Sequence, residues 1–169
     1  VAVEAATLAT VPLLHFNGRN NLIEYNDLYH GMRAAFGGNK DVAILYTGGD
    51  VVGSTACCNW VHDSAGGSTA NKWGNGMGMR GDDNTIGLTF ARNVIWNVGA
   101  CSIMMKNVGD PAPEQANAFF NNTTFDNSTM LLGNSKVDII LSMGKPKGGG
   151  AGQNKLTPLM NNAANMLSS

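Results

Sequence analysis

The sequence predicts an α+β fold, with a helix near the N-terminus followed by short strands and further short helices. Three observations predict it. Apolar residues recur at helical spacing between Asn21 and Phe36. Thr85 to Phe90 alternates, with Ile86, Leu88 and Phe90 on one side. Val137 to Met143, VDIILSM, is a nearly continuous apolar run of strand length.

The chain has 169 residues, which fits one domain covering 1–169: a helical segment over 1–38 and a globular part over 39–169. In the helical segment Leu22, Tyr25, Leu28, Tyr29, Met32 and Phe36 share one face, while Glu24, Asp27 and Arg33 lie elsewhere. Asn20 or Asn21 can cap the start, and Gly37-Gly38 supplies the stop. Val42 to Tyr46 is a short strand or helix ended by the turn Gly48-Gly49-Asp50. Ser54 to Asn84 is rich in Gly, Asn and Ser and predicts a long irregular region, with one strand near Met77 to Met79. After the strand at 85–90, Asn97 caps a predicted short helix carrying Cys101, Met104, Met105 and Val108. Pro113 to Phe120 suits another helix with Pro in its first turn. A Gly- and Lys-rich loop covers Gly144 to Lys155, and a last helix starts at Thr157-Pro158 and runs to about Met166. No internal repeat stands out.

Composition narrows the function. Only 14% of residues are charged and the net charge is −1, so the chain lacks the clustered Lys and Arg of a nucleic-acid footprint. No stretch reaches the ~18 apolar residues of a membrane span. Val1 to Leu14 is apolar apart from Glu4, Thr7 and Thr10, but it contains Pro12. His15, His30 and His62 have no metal-ligand spacing, and no catalytic nucleophile motif occurs. His62-Asp63 and Asp82-Asp83 read as solvated loop residues, and Arg80-Gly81-Asp82 as a turn. GKPKGGGAGQNK could cradle an anion, yet it has neither the P-loop order nor the dinucleotide register, so it reads as a loop. The methionines sit among apolar neighbours, as core filler does. Of the three cysteines, Cys101 could bridge to Cys58 or Cys57 in an exported chain, or all three could be buried thiols. Cys58 is the preferred partner because it adjoins Trp60 and Val61.

Three segments in order resemble the type IVb pilins, the class of the toxin-coregulated and bundle-forming pilins. NNLIEYNDLYHGMRAAFGG resembles the end of the long pilin helix. NKWGNGMGMRGDDNTIGLTFARNVIWNVGACSIMMKNVGD looks like the Asn-aromatic-Gly segment, strand and cysteine-bearing helix of that family. NKLTPLMNNAANM is similar to its Thr-Pro-started C-terminal helix. Together they cover about half the chain. The resemblance implies a long amphipathic N-terminal helix packed on a mainly antiparallel sheet, with short peripheral helices. It implies a structural subunit of a bacterial surface filament, acting in adhesion or aggregation, with no enzymatic activity and no cofactor. Its partners would be other copies or related pilins. Membrane contact would come only through an N-terminal hydrophobic helix that is not clearly present here. Cys101 stands where the family places the first cysteine of its C-terminal disulfide loop, but no cysteine follows it. The alternatives are a pseudopilin, a capsid or other extracellular assembly subunit, and a small phosphate- or nucleotide-binding domain using Gly144 to Lys155.

Overall fold

The structure is a computed structural model that describes residues 2–4, 12–31, 43–64, 76–82, 84–107, 115–127, 130–132 and 135–143. These residues contain no α-helix. They form a stacked coil of short, almost entirely parallel strands, with three sheets as its sides. Sheet A contains β1 (Ala2–Glu4), β4 (Asp27–Tyr29), β7 (Trp60–His62), β10 (Val94–Trp96) and β13 (Thr123–Phe125), paired in that order. Sheet B runs β2 (Leu14–Phe16), β5 (Ala43–Thr47), β8 (Met77–Gly81), β11 (Ile103–Asn107) and β16 (Ile139–Met143). Sheet C runs β3 (Leu22–Glu24), β6 (Asp50–Cys57), β9 (Ile86–Ala91) and β12 (Ala118–Phe120). A small antiparallel hairpin, β14 (Met130–Leu132) with β15 (Ser135–Val137), lies between β13 and β16 in the chain. The chain visits B, C and A in turn, and each visit pairs with the coil before it.

This corrects the expected α+β fold, and the sequence shows how the error arises. The predicted helix over Asn21 to Phe36 is instead β3, a two-residue corner at Tyr25-Asn26, and β4. Apolar residues separated by a tight corner can mimic helical spacing. Leu28 is buried, as expected, but Leu22 is 63% and Tyr25 72% exposed, and Tyr29 is half-buried. Met32 and Phe36 lie outside the described residues. The helix expected after Asn97 is a corner followed by β11, and Ala118 to Phe120, the end of the helix expected from Pro113, is β12. The irregular region of Ser54 to Asn84 contains the second half of β6 and all of β7 and β8. The segment at 42–46, expected as a strand or a short helix, overlaps β5, and the expected strands at 77–79, 85–90 and 137–143 overlap β8, β9 and β16, but all four lie in parallel sheets. The loop at Gly144 to Lys155 and the helix from Thr157 lie outside the described residues.

A structural repeat does exist. The segments YNDLYH (25–30), CNWVHD (58–63), RNVIWN (92–97) and NNTTFD (121–126) stack on one another. In each, the first residue is left-handed: Tyr25, Cys58, Arg92 and Asn121 have φ of 55°, 60°, 55° and 54°. The last residue is left-handed too: His30, Asp63, Asn97 and Asp126 have φ of 56°, 55°, 49° and 51°. A third such column at the entry to sheet C is Asn20, Gly53 and Gly87. These positive-φ positions bend the chain sharply, and two of the columns bound sheet A strands only three residues long. For a non-glycine residue that conformation costs about 1 kcal/mol or more, so something must hold it.

An asparagine ladder does so at the corner from C to A. The Oδ1 of Asn59 accepts from the backbone N–H and the Nδ2 of Asn26, at 3.1 and 3.0 Å. Asn93 receives the same pair from Asn59, and Asn122 the same pair from Asn93. Each amide also donates back to a carbonyl of the preceding coil: Asn59 to Ile23, Asn93 to Ala56, and Asn122 to Phe90. Asn59 and Asn93 are fully buried, so these bonds satisfy backbone groups that water cannot reach.

Inside the coil, all three sides point residues to a shared core. Sheet A contributes Leu28, Val61 and Ile95, sheet C Ala56 and Phe90, and sheet B Leu45, Met79 and Ile103, all fully buried. A second cluster groups Ala43, Met77, Ala100, Cys101 and Met104 with Tyr46.

Candidate functional face

Because the middle residues of β4, β7 and β10 are spent on the core, their two neighbours project outward. The register then builds two outer columns. One is Asp27, Trp60, Val94 and Thr123; the other is Tyr29, His62, Trp96 and Phe125. The second column places a planar ring on each of four successive coils, and those rings stack. Tyr29 lies 5.3 Å from His62 at 8°, His62 4.0 Å from Trp96 at 9°, and Trp96 5.8 Å from Phe125 with parallel planes. Trp60 does not join the stack. It meets the ring of Trp96 at 73°, with centroids 6.2 Å apart, and stays 57% exposed.

Acids border the rings. His62 is held from both sides: its Nε2 is 2.8 Å from Asp27 Oδ1 and its Nδ1 is 2.8 Å from Asp63 Oδ2. A neutral imidazole has one N–H, so only the imidazolium can donate to both carboxylates. Asn97, in the corner one coil on, donates to Asp63 Oδ1 at 2.5 Å. Burial pushes the Asp63 carboxyl up, but the hydrogen bonds from Asn97 and His62 outweigh it, and the group sits below its ordinary range. His62 and Asp63 are thus not the solvated loop residues that the sequence suggested: His62 is part of β7, and both are tied into the sheet.

Other singled-out residues fall elsewhere. Arg80 and Gly81 belong to β8, and Arg80 is 1% exposed and paired with Asp82 at 2.7 Å, so this tripeptide is no displayed turn. Cys101, Cys58 and Cys57 are all thiols, and the expected bridge is not formed. Cys57 and Cys58 stand where sheet C turns into sheet A, whereas Cys101 follows β10 on the way to sheet B. Sheet A separates the two positions. Burial, with Cys58 and Glu24 close by, pushes the Cys57 thiol up to about 11. Among the described residues no group of three or more His, Cys, Asp or Glu could hold a metal ion. No helix among them is long and apolar enough to cross a membrane.

No protein-family model matches this chain, and no curated protein or solved structure matches it. The face must be read from its own chemistry. Its stacked rings fix neighbouring coils, its carboxylates accept hydrogen bonds, and Trp60 offers an uncovered aromatic surface. The signal in the sequence was the fourfold pattern of an asparagine, two residues, then an aromatic or histidine ring.

Proposed function

We propose that the chain is a non-catalytic structural rod, a segment of a surface assembly whose outer sheet A face serves for recognition. The asparagine ladder carries this reading. It commits the corner amides of four coils to holding the coils together, which favours rigidity along the axis over a pocket built for chemistry. The strand-on-strand stacking also suits a subunit role, because among the described residues β12 and β3, the outermost strands of sheet C, each have one edge with no paired strand, which a further strand could extend. The pilin resemblance supported a filament through a helix that the described residues replace with strands. The subunit role proposed here rests on the coil instead.

Small-angle scattering and negative-stain imaging of the full chain test this, together with sedimentation over a range of concentrations. The expected result is an elongated particle, with end-to-end multimers growing as concentration rises. A near-spherical particle that stays monomeric at every concentration would refute the rod and assembly reading.

A further inference from the structure

We propose that the sheet A face binds a neutral, hydroxyl-rich glycan chain lying along the stack, with Trp60 as its main platform; this rests on reading that face as a recognition surface. The argument starts with exposure. Large aromatic side chains left in water are unfavourable unless something covers them, and here two stand on sheet A: Trp60 at 57% and Phe125 at 47%. The stacked column uses its ring faces on itself, so Trp60, turned 73° from Trp96, is the ring with a face to offer.

The electrostatics select the occupant. An aromatic face is negative and attracts the weakly positive C–H groups on the flat side of a sugar ring. Around it stand hydrogen-bond acceptors, Asp27, Asp63 and Asp126, with the amide of Asn97 among them. Sugar hydroxyls donate to such groups. No Lys or Arg occurs in β4, β7, β10 or β13, and the His62 ring is already held between Asp27 and Asp63, so an acidic or sulfated glycan would meet mostly carboxylates, with Arg92 at the corner before β10 as a cation beside them. The geometry suits a chain. The coils repeat at ~4.8 Å, the spacing of neighbouring strands, which is close to the advance of one sugar in an extended β-linked polymer.

The test uses the full chain with cellohexaose, xylohexaose and chitohexaose as neutral probes and hexagalacturonic acid as the anionic one. Titration calorimetry and tryptophan fluorescence report binding. The expected result is saturable binding of at least one neutral hexasaccharide and none of the anionic one. Trp60→Ala should weaken binding at least tenfold with an unchanged melting temperature, and Trp60→Phe should restore most of it. Absence of binding by all three neutral probes overturns the proposal, as does equal or tighter binding of the anionic probe. Unchanged affinity in Trp60→Ala overturns the placement. Scattering on the same samples separates the two readings: an elongated particle that ignores glycans refutes the ligand and leaves the rod intact.

Discussion

Replacing Asn59 with alanine removes the centre of the ladder and tests the fold where it is most specific. The side chain takes part in four hydrogen bonds, two accepted from Asn26 and one donated to each of Ile23 and Asn93. Each is worth about 1 kcal/mol net, and a buried partner left unsatisfied costs about 1–3 kcal/mol. The losses overlap, because Asn93 Oδ1 keeps its bond from the Asn59 backbone and Asn26 is half-buried, within reach of water. About 3–4 kcal/mol is therefore the expected loss. For a chain of this size that is a drop in melting temperature of about 10 °C. Asn59→Asp sharpens the test. It keeps the acceptor facing Asn26 but cannot donate to Ile23, and it sets a carboxylate against Asn93 Oδ1 at 3.0 Å. It should be at least as damaging as alanine despite its near-identical shape. The assay is thermal and urea unfolding followed by circular dichroism. If both variants melt within 2–3 °C of the parent, which is under about 1 kcal/mol, the corner amides do not hold the coils and the parallel stacking is wrong.

Three further outcomes follow from the same architecture. Gly87→Ala should cost about 3 kcal/mol, because φ is +69° and a Cβ would sit 2.6 Å from the Val52 Cα; Gly49→Ala, at φ +76° with open space around it, should cost only about 1 kcal/mol. The Asp63 carboxyl has a folded pKa below its unfolded value, so its contribution to stability is full above pH about 4 and is lost as pH falls through the folded value. Asp63→Asn should flatten the acid limb of a stability-against-pH curve, and an unchanged limb would contradict the pairing with His62 and Asn97. In native protein at pH 8, a thiol reagent should leave the fully buried Cys101 unmodified until the chain unfolds and should label Cys57 slowly, whereas an intramolecular disulfide from Cys101 to Cys57 or Cys58, seen by mass spectrometry after air oxidation, would contradict the separation across sheet A.

The amino-acid sequence by itself settled local matters. Leu28 had to be buried, and it is; the alternation of Ile86, Leu88 and Phe90 and the run ending at Met143 had to be extended, and they are β9 and β16. What it left ambiguous was any segment shorter than two turns of helix. Leu22, Tyr25 and Leu28 satisfy a helical period, yet they also satisfy two three-residue strands around a left-handed corner, and nothing local separates these readings. The deciding interactions come from residues 33, 34 and 29 positions away, where Asn59, Asn93 and Asn122 lie beneath their counterparts. Those unequal spacings also hid the repeat, since the connections between sheets A and B differ in length while the corners from C to A stay at two residues. The recognition face was less legible still. Tyr29, His62, Trp96 and Phe125 are different residue types scattered along the chain, and only the register of sheet A stacks them. A parallel coil is stabilised by contacts between distant copies of a short pattern, so its sequence specifies the corners and the core residue of each side, and the tertiary structure alone decides which surfaces those sides assemble.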